Sequence, residues 1–168
     1  MKELLKPSSI VPFIAAVAVA TIWGAVVQTQ YNLAGLSSIG ADISSDVRVG
    51  ATLSDIFSGF SPTYGSHIVL PSLLVAFVVA SLLPVQQRVS RLVLFAAAGA
   101  LAIGVGIPIV NWLAPVALLV GASRDVSCTI LMALGGLVAG LLFASLPLPR
   151  LPRGRREHPT ALPVGSHT

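Results

Sequence analysis

Gln28 and Asn32 leave one apolar run of the chain, Asn111 closes another, and Arg124 with Asp125 opens a third. Residues four apart share a helix face, so Gln28 and Asn32 present two carboxamides to the same neighbour. If the apolar runs are helices of one bundle, these groups meet at one level, where Arg48, Asp55 and His67 can join them. Amides and a guanidinium are hydrogen-bonding groups rather than nucleophiles or bases. Ser123 is placed to cap the helix that follows it, and that helix's amide-bearing N-terminus lies beside Arg124. Together they suit the anionic or carbonyl-bearing head of a lipid, quinone or other amphiphile. The plainer alternative is interhelical hydrogen bonding, with Arg124 paired to Asp55 or Asp125 and headgroups solvating the rest. It is preferred, because helix ends must carry polar residues somewhere and interhelical polar contacts contribute only about 0.6 kcal/mol on average.

A catalytic constellation is harder to assemble. Asp42, Asp46 and Asp55 surround Arg48 without a recognisable motif and read as a solvated loop. Cys128 is the single cysteine, so no intramolecular disulfide forms, and no thiol or imidazole beside it makes a metal set. It reads as a small packed residue. His67 stands alone at the mouth of its run, with His158 and His167 in the tail, which gives no facing pair for a haem. No catalytic residue, metal or cofactor is expected.

The elements that position these residues follow from composition. Of 168 residues 55% are hydrophobic and 10% charged, with ten Lys and Arg, six Asp and Glu and a mean hydropathy of +0.90. A soluble domain carries about 25% charged residues; this chain cannot clothe a soluble globule. Four runs approach the roughly 20 apolar residues of a spanning helix: about 10–27, 68–85, 92–112 and 126–146, none of which contains Asp, Glu, Lys, Arg or His. The fold class is therefore all-α, a polytopic membrane protein with four transmembrane helices in a bundle over residues 10–147. Lys2 and Lys6 before the first run resemble the basic start of a cleaved leader ending at Ala18-Val19-Ala20. The run continues through Ile22, Trp23 and Val27, however, beyond the 7–15 residues usual for a leader core, and is read as a span.

Basic residues flank the cytoplasmic ends of spans. Lys2 and Lys6, Arg88 and Arg91, and Arg150, Arg153, Arg155 and Arg156 all fall on one side when four helices are threaded. Both termini, residues 1–9 and the basic tail 148–168, are then cytoplasmic. The tail arginines suit contact with anionic lipid, although fixing topology is role enough for them. The net charge of +4 is spread over these flanks and forms no face for nucleic acid.

Between lipid-embedded helices small residues permit close packing. Each span carries a trio spaced by four: Ala16, Ala20 and Gly24; Ser72, Ala76 and Ala80; Ala96, Ala100 and Gly104; Gly136, Gly140 and Ala144. Packing within the bundle is preferred over a dimer face. The outer loop 28–67 is too long for a turn. Gln28 to Ile39 prolongs the first helix until Gly40 stops it, and Thr52-Leu-Ser-Asp55 matches a capping box. A short amphipathic helix over 52–59 then gathers Leu53, Ile56, Phe57 and Phe60, before 60–65 turns into the second span.

The run Trp23-Gly24 to Gln28-Thr29-Gln30-Tyr31-Asn32-Leu33, with Asp55, Phe60-Ser61-Pro62, Asn111 and Arg124, resembles small four-helix inner-membrane proteins of proteobacteria that have no assigned activity. The resemblance implies four spans and a bacterial inner membrane over about residues 20–145, and no site residue. Four-helix membrane disulfide oxidoreductases use paired cysteines that this chain lacks. Spans without ionisable residues argue against charge-coupled transport. The expected role is non-catalytic: an accessory, assembly or stabilising subunit, whose partners are membrane lipids and other membrane subunits or a second copy. The alternative is an amphiphile held by Gln28, Asn32, Asn111 and Arg124.

Overall fold

The structure, a computed structural model, describes residues 7–85, 87–113 and 125–146. Lys2, Lys6, Arg124 and the tail arginines Arg150, Arg153, Arg155 and Arg156 lie outside the described residues. Helix α1 covers Pro7–Ser38, α2 Ser45–Phe57 and α3 Phe60–Tyr64; a π-helical turn, Gly65–Val69, leads into α4, Leu70–Leu82. Helices α5, Arg88–Leu113, and α6, Val126–Ser145, follow. Among the described residues there is no strand, and four helical stretches are long and apolar enough to cross a membrane. That is the make-up of a multi-pass membrane protein. Large apolar side chains such as Ile14, Val75, Leu101 and Ile130 point outward, as expected of helices that are apolar all round.

Neighbours run α4, α5, α6, α1, and the ring closes where α3 and the π turn lean on α1. Two ends can be distinguished. The cap end holds the C-terminus of α1, α2, α3 and the start of α6; the opposite end holds the α4–α5 connection.

Four phenylalanines, one from each long helix, meet toward the opposite end. The Phe77 ring of α4 stacks on Phe143 of α6 at 4.7 Å and meets Phe95 of α5 and Phe13 of α1 edge-on at 5.4 and 6.2 Å. Such pairs contribute about 0.5–1.5 kcal/mol each beyond their burial. Arg91 closes this end, with its guanidinium carbon 5.6 Å from the Phe95 ring centroid and Nη1 donating to the Ala144 carbonyl at 3.3 Å. That carbonyl belongs to the last turn of α6, which has no later amide to satisfy it.

Between the two ends α5 and α6 touch backbone to backbone. A Cβ on Gly99 would collide with the Gly136 carbonyl, one on Gly136 with the Gly99 carbonyl, and one on Gly140 with the Phe95 carbonyl. Gly136 and Gly140 thus face α5 of the same chain. A Cβ on Gly104, in the expected stripe of the third span, would lie 3.7 Å from the Ala133 Cβ of α6, an ordinary contact with room for a methyl. Buried on α5 are Ala96, Gly99, Ile103 and Gly106, of which Gly99 meets α6 and Gly106 meets Ser72 of α4. Steps of four drift by about 40° each on a 3.6-residue helix, so the expected stripe passes beside Gly99, where the backbones touch.

The loop elements differ from expectation at three points. First, α2 begins at Ser45, capped by Ser44, whose side chain accepts from the Val47 amide. Thr52 lies mid-helix and turns its hydroxyl to the Arg48 carbonyl at 2.8 Å, so the Thr52–Asp55 pairing is no cap. Second, residues 60–65 do not form an open turn but the helical run α3 entering the π turn. Pro71, near the start of α4, has no amide to return to the preceding turn, and the added residue of a π turn relieves that junction. Third, α6 is capped by Asp125, and Ser123 lies outside the described residues. At Gly40, φ is +92°, and the Ala41 and Gly40 amides return to the Leu36 and Ser37 carbonyls, the Schellman closure of α1.

Gly99→Ala and Gly136→Ala are each expected to lower the unfolding midpoint of the detergent-solubilised protein, by roughly 1–3 kcal/mol of overpacking, while Gly104→Ala leaves it unchanged. Equal losses at all three positions in thermal or denaturant unfolding would refute the backbone contact.

Candidate functional site: a polar cap on the apolar helices

Most of the polar side chains that hydrogen-bond across elements do so at the cap end. Helix α1 has 32 residues and extends about 48 Å, well beyond a hydrocarbon layer of about 30 Å. Its last turns carry Gln28 to Tyr31, and α2 folds back along them. The Thr29 hydroxyl lies 2.8 Å from the Ala25 carbonyl and 2.6 Å from Asp55 Oδ2, sharing its proton between two acceptors. One turn on, Gln30 Nε2 donates to Thr52 Oγ1 at 3.0 Å while Arg48 Nη1 donates to Gln30 Oε1 at 2.9 Å. The polar stripe of α2, Arg48, Thr52 and Asp55, therefore faces α1, and each charge is spent on a neutral partner.

A second chain of hydrogen bonds joins α1 to α6. Ser127 Oγ donates to Asp125 Oδ1 at 2.7 Å, so the Tyr31 hydroxyl, 2.8 Å away, donates to Ser127. The Ser127 amide also reaches Asp125 Oδ1, at 2.9 Å. The hydroxyl first, and then the amide, hold the Asp125 carboxyl below its ordinary value. Trp23 crosses from α1 over Gly135, with Nε1 donating to the Leu131 carbonyl at 2.9 Å.

Beneath these bonds runs a seam between α1 and α3. Gly24 lies against the Tyr64 ring, and Gly65 brings its backbone within 3.1 Å, Cβ-equivalent to Oγ1, of Thr21. Four oxygens along the seam, Thr21 Oγ1, Gln28 Oε1, Ser61 Oγ and Tyr64 OH, are buried without a hydrogen-bond partner among the described residues. Buried polar atoms of this kind are uncommon.

The residues singled out from the sequence separate here. Gln28 is drawn inward and only 5% exposed, Asn32 one turn later is exposed, and Asn111 is half-buried at the end of α5. No hydrogen bond joins Gln28 to Asn32, and Arg124 lies outside the described residues. Asp55 and Asp125 are engaged by Thr29 and Ser127; the expected pairing with Arg124 lies outside the described residues. His67 leaves the group and lines a furrow between α4 and α5. Cys128 is buried in the first turn of α6. Sequence reasoning missed Thr29 and Tyr64. Thr29 had a usable signal, since it lies beside Gln28 on a helix expected to run on past the apolar span. Tyr64 had no local signal; it is Gly24, across on α1, that leaves room to bury its ring.

What the arrangement does chemically is hold α2 onto α1 and tie α6 to both. Thr29→Val is expected to loosen α2 by about 1.5–3 kcal/mol, the range for a hydrogen bond to a charged group, read as faster proteolysis within residues 40–60. Tyr64→Phe, by contrast, removes an unpaired buried hydroxyl and should leave stability unchanged or raised; a loss exceeding 1 kcal/mol in unfolding experiments, on the same scale, would mean that the hydroxyl has a partner. At Asp125 a depressed carboxyl stabilises the cap above the ordinary aspartate range, and that contribution disappears as pH falls through the lowered value. Asp125→Ala should therefore speed labelling of Cys128 by a disulfide reagent at neutral pH, and the variant and the parent should converge in acid.

No family model, curated protein or solved structure matches the chain, so the functional reading of this cap rests on its own geometry.

Proposed function

We propose that the protein is a non-catalytic, multi-pass subunit of a bacterial inner membrane, with both termini cytoplasmic and the cap on the outer side, that stabilises or helps assemble a larger membrane complex. The orientation rests on the basic flanks, Lys2, Lys6, Arg88, Arg91 and the tail arginines, which belong on one side. The observation that carries the role is the orientation of α2. A surface helix normally turns its apolar side inward, but α2 spends Arg48, Thr52 and Asp55 on α1 and leaves Val49, Leu53 and Phe57 outside, Phe57 at 78% exposure. Ile39, just after α1, adds to the exposed apolar surface at this end. Such a ledge suits contact with a second membrane subunit at the boundary.

A second reading, binding of a lipid, quinone or other amphiphile, is favoured by a different observation, the apolar furrow between α4 and α5. Among its described walls are none of Gln28, Asn32 and Asn111.

Native mass spectrometry of the tagged protein released gently from its own membrane tests the first reading. A foreign subunit in fixed ratio is expected, and Phe57→Glu or Leu53→Glu should release it while the variant still folds. Emergence as a monomer, or a partner indifferent to both substitutions, would overturn the assignment to this ledge.

A further inference from the structure

The furrow runs beside α4 from His67 to Leu83 and beside α5 from Leu94 to Val110. Either wall spans about 24 Å at 1.5 Å per residue. Its floor and sides include Ala76, Ala80, Ala98, Ala102 and Gly106. Small side chains thus make up much of its lining on both helices. The trio Ser72, Ala76 and Ala80, expected to pack the second span, does so, with Ser72 against Gly106 and Ala80 in the core, and also lines this opening. Its volume is about 700 Å³, within the range of small-molecule sites. Drawn out over about 24 Å, that volume makes a narrow open groove that a hydrocarbon chain fits.

The polar lining side chains are His67 and Ser72, and His67 marks the mouth at the cap end. Its ring is oriented by the π turn. Nδ1 lies 3.1 Å from the Thr63 carbonyl, which can only accept, and 2.8 Å from Ser66 Oγ, whose own proton goes to the Pro62 carbonyl at 2.6 Å. Nδ1 is therefore the protonated nitrogen, and in the neutral ring Nε2 is left as an acceptor. Among the described residues no acidic or other basic side chain lines the furrow, and at its mouth His67 Nε2 offers a lone pair.

We infer that the α4–α5 furrow binds a long-chain amphiphile whose head presents a hydroxyl, with the chain along the alanine wall and the hydroxyl donating to His67 Nε2. This rests on the second reading above and narrows it to a site and a head chemistry. The π turn then has a task beyond accommodating Pro71, since it fixes the Thr63–His67 spacing that selects the tautomer.

The test uses the full-length protein in mild detergent, titrated with a hydroquinone bearing a long saturated alkyl chain and, separately, with its dimethyl ether, bound mass being read by native mass spectrometry. The parent should bind one hydroquinone, with the ether at least tenfold weaker. His67→Phe, which keeps a ring but removes the acceptor, should bring the hydroquinone down to the ether's affinity. Ala98→Phe should abolish both, and Leu101→Trp, filling from another point on the α5 wall, provides the same readout should Ala98→Phe fail to fold. Equal affinity for the two probes in the parent, with both filling variants still blocking, overturns the hydroxyl selection and leaves amphiphile binding standing. Binding unmoved by the filling variants overturns the site. A homodimer that binds neither probe assigns the furrow to a second copy and overturns both the inference and the reading beneath it.

Discussion

Helices buried in hydrocarbon gain almost nothing from hiding apolar surface from one another, because lipid is as apolar as leucine. What holds them is the closeness of approach, and in this protein the limit is reached where Gly99 and Gly136 set each other's carbonyls against bare Cα atoms. At that distance the two backbones gain dispersion over their length and weak Cα–H to carbonyl contacts become available. The rest of the molecule is arranged around that pair. The aromatic node can bring rings from α5 and α6 onto Phe77 because the two helices are already fixed in register, and Arg91 reaches the end of α6 for the same reason.

At the cap end a different economy applies. There α1 has left the apolar layer and meets α2 through side chains that hydrogen-bond in pairs, each charged group against a neutral one. Such bonds fix orientation more than they add stability. They also decide which side of α2 is outermost, and the outcome reverses the usual amphipathic arrangement. The ledge of Val49, Leu53 and Phe57 and the furrow beside His67 lie in different parts of the molecule, one on α2 and one between α4 and α5. Partner contact and amphiphile binding therefore do not compete for the same residues.

The four long helices were legible because composition alone determines them: runs without a charge, of spanning length, have few alternatives. The stop at Gly40 was legible too, since a left-handed position at a helix end favours glycine. The details that failed are those set by tertiary context. A strict spacing of four picked out Gly104, which does meet α6 at Ala133, but passed over Gly99, where the two backbones touch. Thr52 carried a capping signature, but Ser44 stood at the true boundary, and only the packing of Arg48 and Asp55 against α1 shows why the helix starts earlier. The candidate set at the boundary was chosen by level along the bundle; facing direction, which puts Gln28 inside and Asn32 outside, depends on where α3 leans, and no local pattern encodes that. His67 was visible as a lone imidazole, but its tautomer required the π turn.

The neighbour order of the helices has a consequence for how the chain is made. Helix α6 lies between α5 and α1, so the first of the four spans described finds its main partner only in the fourth. Until α6 is inserted, Trp23 lacks the Leu131 carbonyl. During biogenesis α1 can gather α2, α3 and the π turn against itself, but its longest contact waits until the fourth span is in place. Closure of the ring is then a single late event, and a ribosome that stops before α6 releases a chain whose two remaining faces are both open to membrane quality control.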